Sequence, residues 1–290
     1  MKGEAFCPAH VTGFFKVEKG GPGLAAQGTI GAGFSIEDGV KSTVQEAQGG
    51  RAITTRGHPA DDTRVSEHIL ERFDELTGGL PPLEVIHDIG IPVGYGLGAS
   101  GAVALSLSMA LDRALDTGLG PEGAGRIAHE AEVRCRTGLG DVLAAYHGGF
   151  ELRTAPGAPG VGAVEKMETD ATAVIVCLAP VSTRRFIDEK MDTVNGLGGR
   201  MAEKLAGSGD PEEFQDMSLE FARHAGVVTR RMDDVIGALV GAGYGCGVAL
   251  FGETVFALVP RGKDHLVREA LPDLPQAAVI TSRIDGRGAR

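Results

Sequence analysis

A glycine-rich stretch at residues 92–102 is the part of the sequence best suited to chemistry. It reads Pro-Val-Gly-Tyr-Gly-Leu-Gly-Ala-Ser-Gly-Ala and lies between a strand-like segment at 83–89 and a helix-like segment at 101–111. Its closely spaced glycines let the backbone approach an anion, and the helix that begins near Ser100 adds N–H groups without helical partners. The stretch therefore predicts a loop that binds phosphate.

Other interpretations of this stretch fit less well. A dinucleotide-binding loop would be followed about 20 residues later by an acid at the end of a second strand, whereas Asp116 falls at the end of a predicted helix. A Walker A loop needs a lysine, and none lies between Lys41 and Lys166. Residues 89–111 carry no charge, but one proline and five glycines leave only a helix at 101–111, which is too short to cross a bilayer.

Two acids on a helix predicted at 121–136 compete for a functional role. Glu130 has Arg126 and Arg134 four residues away on either side, which is the pattern of a solvated, salt-bridged face. Glu132 lies instead at the edge of the stripe expected to be buried, and a side chain at that edge can line a cleft. The stripe consists of Ala124, Ala128, Ala131 and Cys135. Glu132 is the preferred candidate, and Glu130 stays the alternative.

A third acid, Asp141, follows two glycines and precedes a short apolar segment. A carboxylate beside a hydroxyl group can orient it and accept its proton while the hydroxyl oxygen is phosphorylated. An aspartate before an apolar run is also a common helix N-cap. Farther along, Arg153 ends a predicted strand, and its planar guanidinium suits a carboxylate, although isolated arginines at strand ends are more often solvated. From the residues alone, Asp141 can be a catalytic residue or a helix N-cap, and Arg153 can bind a carboxylate or be solvated.

The glycine-rich stretch resembles the phosphate loop of the GHMP kinase superfamily, a group of small-molecule kinases. The pattern Pro-x-x-x-Gly-Leu-Gly-x-Ser-x-Ala covers eleven consecutive positions. The Cys-Pro-Ala-His sequence at 7–10 resembles the opening motif of that superfamily, with His10 in place of the usual lysine. Residues 137–142 resemble the segment that carries the catalytic aspartate, and the glycines of 241–247 resemble a third motif.

This resemblance implies an ATP-dependent kinase that uses Mg²⁺. It implies that Ser100 and Glu132 hold the metal ion and that Asp141 is the catalytic residue. It also implies that the amides of the loop wrap the phosphates of ATP. The loop residues expected to bind ATP are Gly94, Gly96, Leu97, Gly98, Ala99, Ser100 and Gly101.

Within the superfamily, residues 8–15, 137–142 and 182–183 are most similar to archaeal pantoate kinases. This similarity implies that ATP and pantoate are converted to ADP and 4-phosphopantoate, on the archaeal route to coenzyme A. Pantoate carries a carboxylate and a second hydroxyl group, so its pocket should offer cations and hydrogen-bond donors. The candidate substrate-binding residues are His10, Thr29, His129, Arg153 and Thr183. The alternatives are another GHMP kinase, acting on mevalonate, homoserine or shikimate, and a non-catalytic ligand sensor of the same fold.

The elements that must position these residues form an α+β pattern. The first apolar segment, at 4–16, predicts two short strands broken at Pro8. Alternating apolar residues around Asp38 and Gly39 predict a tight hairpin, and apolar residues at helical spacing predict a core helix at 61–77.

The family resemblance implies a fold of two domains. The first is an ATP-binding, ribosomal-protein-S5-like domain at 1–158, and the second is a ferredoxin-like domain at 159–290. The proline and glycine content of 155–162 favours a linker there. In the second half, the pattern predicts strands at 171–178, 248–251, 254–259 and 277–281, and helices within 185–240 and at 262–270.

Composition limits the partners and the location. The chain of 290 residues has a formal net charge of −11, which argues against nucleic acid and against an anionic membrane surface as partners. Its four cysteines are far apart and lie beside apolar residues, which is typical of buried thiols in a reducing compartment. The N-terminus lacks the apolar segment of a signal peptide. We expect a cytoplasmic protein, and a homodimer is an open option.

Overall fold

The N-terminal part of the chain builds a β-sheet that has six strands in the described residues. A computed structural model describes residues 1–19, 21–58, 62–181 and 183–290, with the backbone alone for 19 and 183–194. The strands are β1 (Lys2–Lys19), β2 (Gln27–Glu46), β3 (Ala52–Gly57), β4 (Leu83–Ile89), β5 (Phe150–Ala155) and β6 (Ala163–Met167). Their order is β3-β4-β2-β5-β6, with β1 also paired to β2. The pair β3 and β4 is parallel, and the other pairs are antiparallel.

Strand β1 is continuous, so the prediction of a break at Pro8 is wrong. Pro8 faces Gly39 of β2 while Ala9 faces Ile36, and residues 37–38 therefore bulge out of β2. A bulge is one of the few places where a strand tolerates a proline, which has no N–H to donate. A Cβ atom on Gly39 would lie 2.1 Å from a carbonyl oxygen of β1. The Asp-Gly pair thus marks a bulge inside one long strand rather than the predicted hairpin.

In the described residues, four helices accompany this sheet. They are α1 (Arg64–Thr77), α2 (Ala99–Leu115), α3 (Gly120–Cys135) and α4 (Asp141–His147). Helices α2 and α4 contact its strands, and α1 and α3 pack against α2. The helices predicted at 61–77, near Ser100 and at 121–136 are confirmed. Helix α2 is buried along most of its length because it packs on β1 and β2 and also contacts the other three helices. Its small residues permit this close packing, which holds the preceding glycine-rich loop in place.

The second sheet has four antiparallel strands in the described residues. They are β7 (Thr172–Pro180), β8 (Gly247–Ala249), β9 (Gly252–Val259) and β10 (Ala278–Arg283), in the order β10-β7-β9-β8. The accompanying helices are α5 (Thr183–Ser208), α6 (Pro211–His224), α7 (Arg230–Gly241) and α8 (Asp264–Ala270). Strands and helical segments alternate as β-α-β-β-α-β, which is the ferredoxin-like order expected for this half. Asp210 caps α6, since its side chain accepts a hydrogen bond from the N–H of Glu212.

Strands of the two sheets contact each other. The segment that connects the sheets is not the expected linker at 155–162. Residues 155–162 connect β5 to β6, and β6 pairs with β5 in the first sheet. The chain therefore reaches the second sheet only after Met167, beyond the predicted boundary at 158, and the division into domains stays a prediction. The C-terminus returns to the first sheet, where the backbone of Arg290 exchanges hydrogen bonds of 2.7 and 2.9 Å with Phe6.

An aromatic core joins the two halves. Phe214 of α6 packs against Phe14, Phe34 and Phe150 of the first sheet and against Phe256 of the second, with ring centroids 5.1 to 6.2 Å apart. Buried aromatic pairs at these distances contribute more than their buried area alone. Across the described parts of the chain, the helices are too short or too polar to cross a membrane.

Candidate active site

The glycine-rich loop runs from β4 to α2. Gly94, Gly96 and Gly98 have φ angles of 87°, 74° and 63°, in the left-handed region that glycine adopts without strain. A Cβ atom on Gly96 would lie 2.2 Å from the carbonyl oxygen of Leu250, which excludes a larger residue. Helix α2 begins at Ala99, so the N–H groups of its first turn have no partner within the helix. The predicted loop conformation is confirmed, and its role in binding phosphate stays a prediction.

A cleft of about 330 Å³ lies beside this loop. Loop residues and Asp141 contribute to its lining. The cleft is also lined by residues that the sequence analysis did not single out, among them Thr12, Thr55, Val65, Ser66, His87, Ile89, Thr137, Leu250 and Phe251. A pocket of this size with apolar and hydroxyl groups suits a small organic ligand.

Ser100 and Glu132 lie together, as expected for a shared metal site. The Ser100 hydroxyl donates to Oε1 of Glu132 at 2.5 Å, and the Thr137 hydroxyl donates to the same oxygen at 2.6 Å. The other oxygen, Oε2, is buried and has no hydrogen-bond partner among the described residues. Burial raises the pKa of Glu132 to about 7, despite the two hydroxyl donors that lower it. Glu130 is only half-buried, so the geometry favours Glu132 over Glu130.

Four ionisable side chains form what we call the charged cluster: His10, Asp141, Glu151 and Arg153. Nδ1 of His10 lies 2.9 Å from Oδ1 of Asp141, and Nε2 of the same ring lies 2.9 Å from Oε1 of Glu151. Nη1 of Arg153 donates to that Glu151 oxygen at 2.8 Å. Negative and positive groups therefore alternate along the cluster, which is buried apart from the partly exposed side chain of Asp141.

The alternation sets the protonation states within the cluster. Burial by itself lowers the pKa of His10, but hydrogen bonds and charges from Asp141 and Glu151 outweigh it and raise the pKa above 6.5. Burial likewise opposes the ionisation of Asp141, yet its bond to His10 and the nearby positive charges hold its pKa below the ordinary value. An imidazolium beside a carboxylate is thus favoured, which supplies the positive charge that the missing lysine of the opening motif would carry.

Arg153 and Thr29, both predicted to bind substrate, converge on Gly140. A Cβ atom on Gly140 would lie 2.2 Å from Oγ1 of Thr29 and 3.2 Å from Nε of Arg153. Nε and Nη2 of Arg153 are buried, and in the described part of the chain they have no hydrogen-bond partner. A buried guanidinium with unused donors is suited to a carboxylate ligand.

The two other predicted substrate residues do not join this group. Nε2 of His129 bonds the backbone carbonyl of Gln27 at 2.9 Å, and burial lowers the pKa of this histidine. His129 thus holds the start of β2, and a direct contact with substrate stays a prediction. Thr183 begins α5, and its side chain lies outside the described residues, as does Ser182.

Sequence reasoning missed Glu151, which joins His10 to Arg153. Glu151 and Arg153 are two residues apart on β5 and therefore point to the same face of the sheet. Since Arg153 was already a candidate, this period of two was the signal that could have identified Glu151.

It also missed a second buried group, the neutral cluster, made of Ser42, Ser66, His87 and Ser106. Nδ1 of His87 lies 2.8 Å from the Ser42 hydroxyl and Nε2 lies 3.1 Å from the Ser66 hydroxyl. The Ser42 and Ser106 hydroxyls are 2.7 Å apart, and Ser106 donates to the carbonyl of Ala102. Burial lowers the pKa of His87 to about 4, so this histidine is neutral near pH 7. Nothing in the spacing of these residues along the chain indicated that they meet.

The architecture is that of the GHMP class of small-molecule kinases. The family model described as "GHMP kinases N terminal domain" matches residues 63–149, which include the glycine-rich loop, Glu132 and Asp141. A solved homoserine kinase from Cytophaga hutchinsonii shares the fold, with a TM-score of 0.73 over 100% of this chain and 96% of that one, at 19% identity.

More similar proteins narrow the family. The pantoate kinase of Methanocaldococcus jannaschii is 31% identical over 278 residues, which cover 94% of this chain and 98% of that one. The pantoate kinase of Thermococcus kodakarensis is 30% identical over 93% of this chain and 92% of its own. A solved "phosphotransferase related to CoA biosynthesis pathway" has a TM-score of 0.87 and 26% identity, covering 100% of this chain and 98% of that chain. The chain belongs to the pantoate kinase family of the GHMP kinases.

Proposed function

We propose that the protein transfers the γ-phosphoryl group of ATP to the primary hydroxyl of pantoate, which gives ADP and 4-phosphopantoate. The observation that carries this proposal is the position of Arg153. Its Nε and Nη2 atoms, which have no hydrogen-bond partner in the described part of the chain, are buried near the Thr29 hydroxyl. Through Glu151 and His10 the same side chain is connected to Asp141. We infer that the carboxylate of pantoate contacts Arg153 and that its primary hydroxyl contacts Asp141.

Asp141 is the proton acceptor in this proposal. Its described hydrogen bonds, from His10 and Thr12, both use Oδ1, which leaves Oδ2 for the hydroxyl of the substrate. As the hydroxyl oxygen bonds to the γ-phosphorus, its proton passes to Asp141 and the bond between the γ-phosphorus and ADP breaks. The low pKa of Asp141 keeps it ionised before the reaction.

The glycine-rich loop is assigned to the phosphates of ATP. Gly94, Gly96 and Gly98 allow close approach of the backbone, and the first turn of α2 adds N–H groups from Ala99 onward. The positive end of the helix favours a negatively charged group there. The rest of the cleft, on β3, β4 and α1, is left for the nucleoside.

The residues present fit Mg²⁺. Oε2 of Glu132 is buried and has no hydrogen-bond partner among the residues that the structure describes, and the Ser100 hydroxyl is bonded to the other oxygen of the same carboxylate. Magnesium prefers oxygen ligands and is usually held by one or two carboxylates together with substrate phosphates. The described residues contain no cluster of three or more acids, histidines or cysteines that could hold a metal, which agrees with a site completed by ATP. When bound, the ion would neutralise phosphate charge, and Ser100 and Glu132 would hold it.

The test of the substrate is ADP release measured with purified protein, ATP and Mg²⁺ across pantoate, mevalonate, homoserine and shikimate. We expect pantoate to be the best substrate, and pantoyl lactone, which has no carboxylate, to be poor. Faster reaction with one of the other three would replace pantoate by that substrate and keep the kinase assignment. Binding of these compounds without any ADP release would favour the ligand sensor.

The remaining expectations are predictions of the same proposal. A cytoplasmic enzyme that binds no nucleic acid agrees with the net charge of −11. Light scattering of the purified protein tests the homodimer, and its retention on immobilised DNA at physiological salt tests the absence of nucleic acid binding.

A further inference from the structure

Glu151 occupies the centre of the charged cluster without an assigned role. It lies on β5, its side chain is 0% exposed, and one oxygen, Oε1, is shared by Nε2 of His10 and Nη1 of Arg153. A buried carboxylate is unfavourable unless it is paired and hydrogen-bonded. Glu151 meets this condition through Oε1 alone, which is bonded to both His10 and Arg153. Its second oxygen, Oε2, has no partner in the described residues.

The backbone opposite Glu151 is shaped to admit the His10 ring. Gly33 of β2 pairs with Glu151 across the sheet, and a Cβ atom on Gly33 would lie 2.5 Å from Nε2 of His10. Any side chain there would displace the imidazole. The ring thus lies between Gly33 of β2, which has no side chain, and the Glu151 carboxylate. Its other nitrogen, Nδ1, points at Asp141.

We propose that Glu151 is a positioning residue for phosphoryl transfer, because one carboxylate orients both His10 toward the catalytic Asp141 and Arg153 toward the substrate carboxylate. The inference rests on the proposed function for the identity of the substrate. By accepting from the Nε2–H of His10, Glu151 fixes the ring so that Nδ1 points at Asp141, and in the imidazolium form Nδ1 donates there as well. By engaging only Nη1 of Arg153, it leaves Nε and Nη2 of that side chain for substrate.

The charges around His10 give this role a distinct signature. Asp141 on α4 and Glu151 on β5 favour the imidazolium, Arg153 on β5 opposes it, and Thr12 on β1 contributes only a hydroxyl. Without the charge of Glu151, a single carboxylate faces His10 and the guanidinium remains close. His10 should then lose its proton at a lower pH, whereas a side chain that only filled space would leave that titration unchanged.

The experiment compares wild type with Glu151→Gln, which keeps the size of the side chain and removes its charge. We expect kcat to fall at least about tenfold, KM for ATP to stay within about twofold, and the alkaline limb of the kcat profile to move to lower pH. NMR titration of ¹³C-labelled histidine should show the same shift for His10. Glu165→Gln, an exposed acid on the neighbouring strand β6, is the matched control and should change none of these quantities.

Glu151→Asp serves if the glutamine variant does not fold. This variant keeps the charge but shortens the reach, so we expect a lowered kcat with a histidine titration close to that of wild type. A glutamine variant with wild-type kcat and an unmoved alkaline limb would overturn the proposal, as would an aspartate variant with wild-type kcat. The histidine titration needs no substrate, so its outcome is independent of whether pantoate is the acceptor.

Discussion

The charged and neutral clusters both contribute residues to the cleft, yet they hold a buried histidine in opposite ways. His10 is 1% exposed and His87 is 2% exposed, so burial disfavours a charge on each to a similar extent. The partners differ. His10 is bonded to two carboxylates, whereas His87 is bonded to two serine hydroxyls. The pKa is raised in the first case and lowered to about 4 in the second.

The comparison shows that the partners, rather than the depth, decide the charge of a buried imidazole. Hydroxyl groups satisfy the ring nitrogens of His87 without compensating a positive charge, so desolvation prevails. Carboxylates compensate the charge of His10, and the resulting ion pairs keep Asp141 ionised as well. The neutral environment of His87 suits a wall of the proposed nucleoside pocket, and the charged environment of His10 suits proton transfer.

The largest expected effect comes from removing the carboxylate that His10 faces in the cleft. Asp141→Asn should lower kcat by about a hundredfold or more, because the proton acceptor is lost. KM for ATP should stay near the wild-type value, since the side chain is assigned to the acceptor hydroxyl. Steady-state ADP release checks both quantities. Turnover close to that of wild type would remove Asp141 from the catalytic role.

Glu132 extends the comparison to a buried carboxylate whose described hydrogen-bond partners are two hydroxyl groups. Glu132→Gln should raise the Mg²⁺ concentration needed for half-maximal activity by about ten- to a hundredfold, because even outer-shell changes at metal sites reach that size. Glu130→Gln, two residues away on a different face of the same helix, is the control and should change little. Titration of activity with Mg²⁺ at saturating pantoate measures the shift. A raised Mg²⁺ requirement in Glu130→Gln together with an unchanged one in Glu132→Gln would assign the metal ligand to Glu130 instead.

The contrast between local motifs and long-range clusters also explains which parts of the fold and of the site could be predicted from the sequence. The glycine-rich loop, α2 and α3 were predictable because local patterns specify them: closely spaced glycines before a small-residue helix, and a stripe of alanines. Ser100, Glu132 and Asp141 were chosen as candidates through motifs of similar local character, and their roles stay predictions. The charged cluster, by contrast, joins His10 to Glu151 across 141 positions, and the neutral cluster joins Ser42 to Ser106 across 64.

Long-range pairing likewise decided the errors in the first strands. An Asp-Gly pair indicates a hairpin when only its neighbours are considered. At residues 38–39 that preference yields to the pairing of β2 with β1 on one edge and with β4 and β5 on the other. The bulge accommodates this pairing, because β2 remains continuous and Pro8 lies next to the break in register, between Pro8 and Ala9.

Arg153 provides a test at the far end of the charged cluster from Asp141. Arg153→Ala should raise KM for pantoate at least about tenfold, since removing one partner of a buried charged pair typically costs roughly 2 to 5 kcal/mol. KM for ATP should change much less. Arg134→Ala, an exposed arginine on α3, is the control. Equal increases in both KM values would point to a general structural defect, which a lowered melting temperature would reveal independently.

The smallest expected effect concerns stability and tests the neutral cluster directly. The pKa of His87 is about 4 in the folded protein, against 6.5 ordinarily, so below pH 6.5 the unfolded chain binds a proton that the folded chain does not. Stability from this group is therefore present above pH 6.5 and is lost as the pH falls toward 4. At pH 5 the loss should be about 2 kcal/mol. His87→Gln removes this contribution, so its free energy of unfolding relative to wild type should improve by that amount between pH 7.5 and pH 5.

Urea unfolding of both proteins at the two pH values measures this difference. Other titrating groups, including Glu132 with its raised pKa, are present in both proteins and cancel in the comparison to first order. The same measurement on His10→Gln should give the opposite sign, because a raised pKa adds stability at low pH that is lost as the pH rises through it. A constant difference between wild type and His87→Gln across the range would mean that His87 titrates normally, and the distinction between the two clusters would then fail.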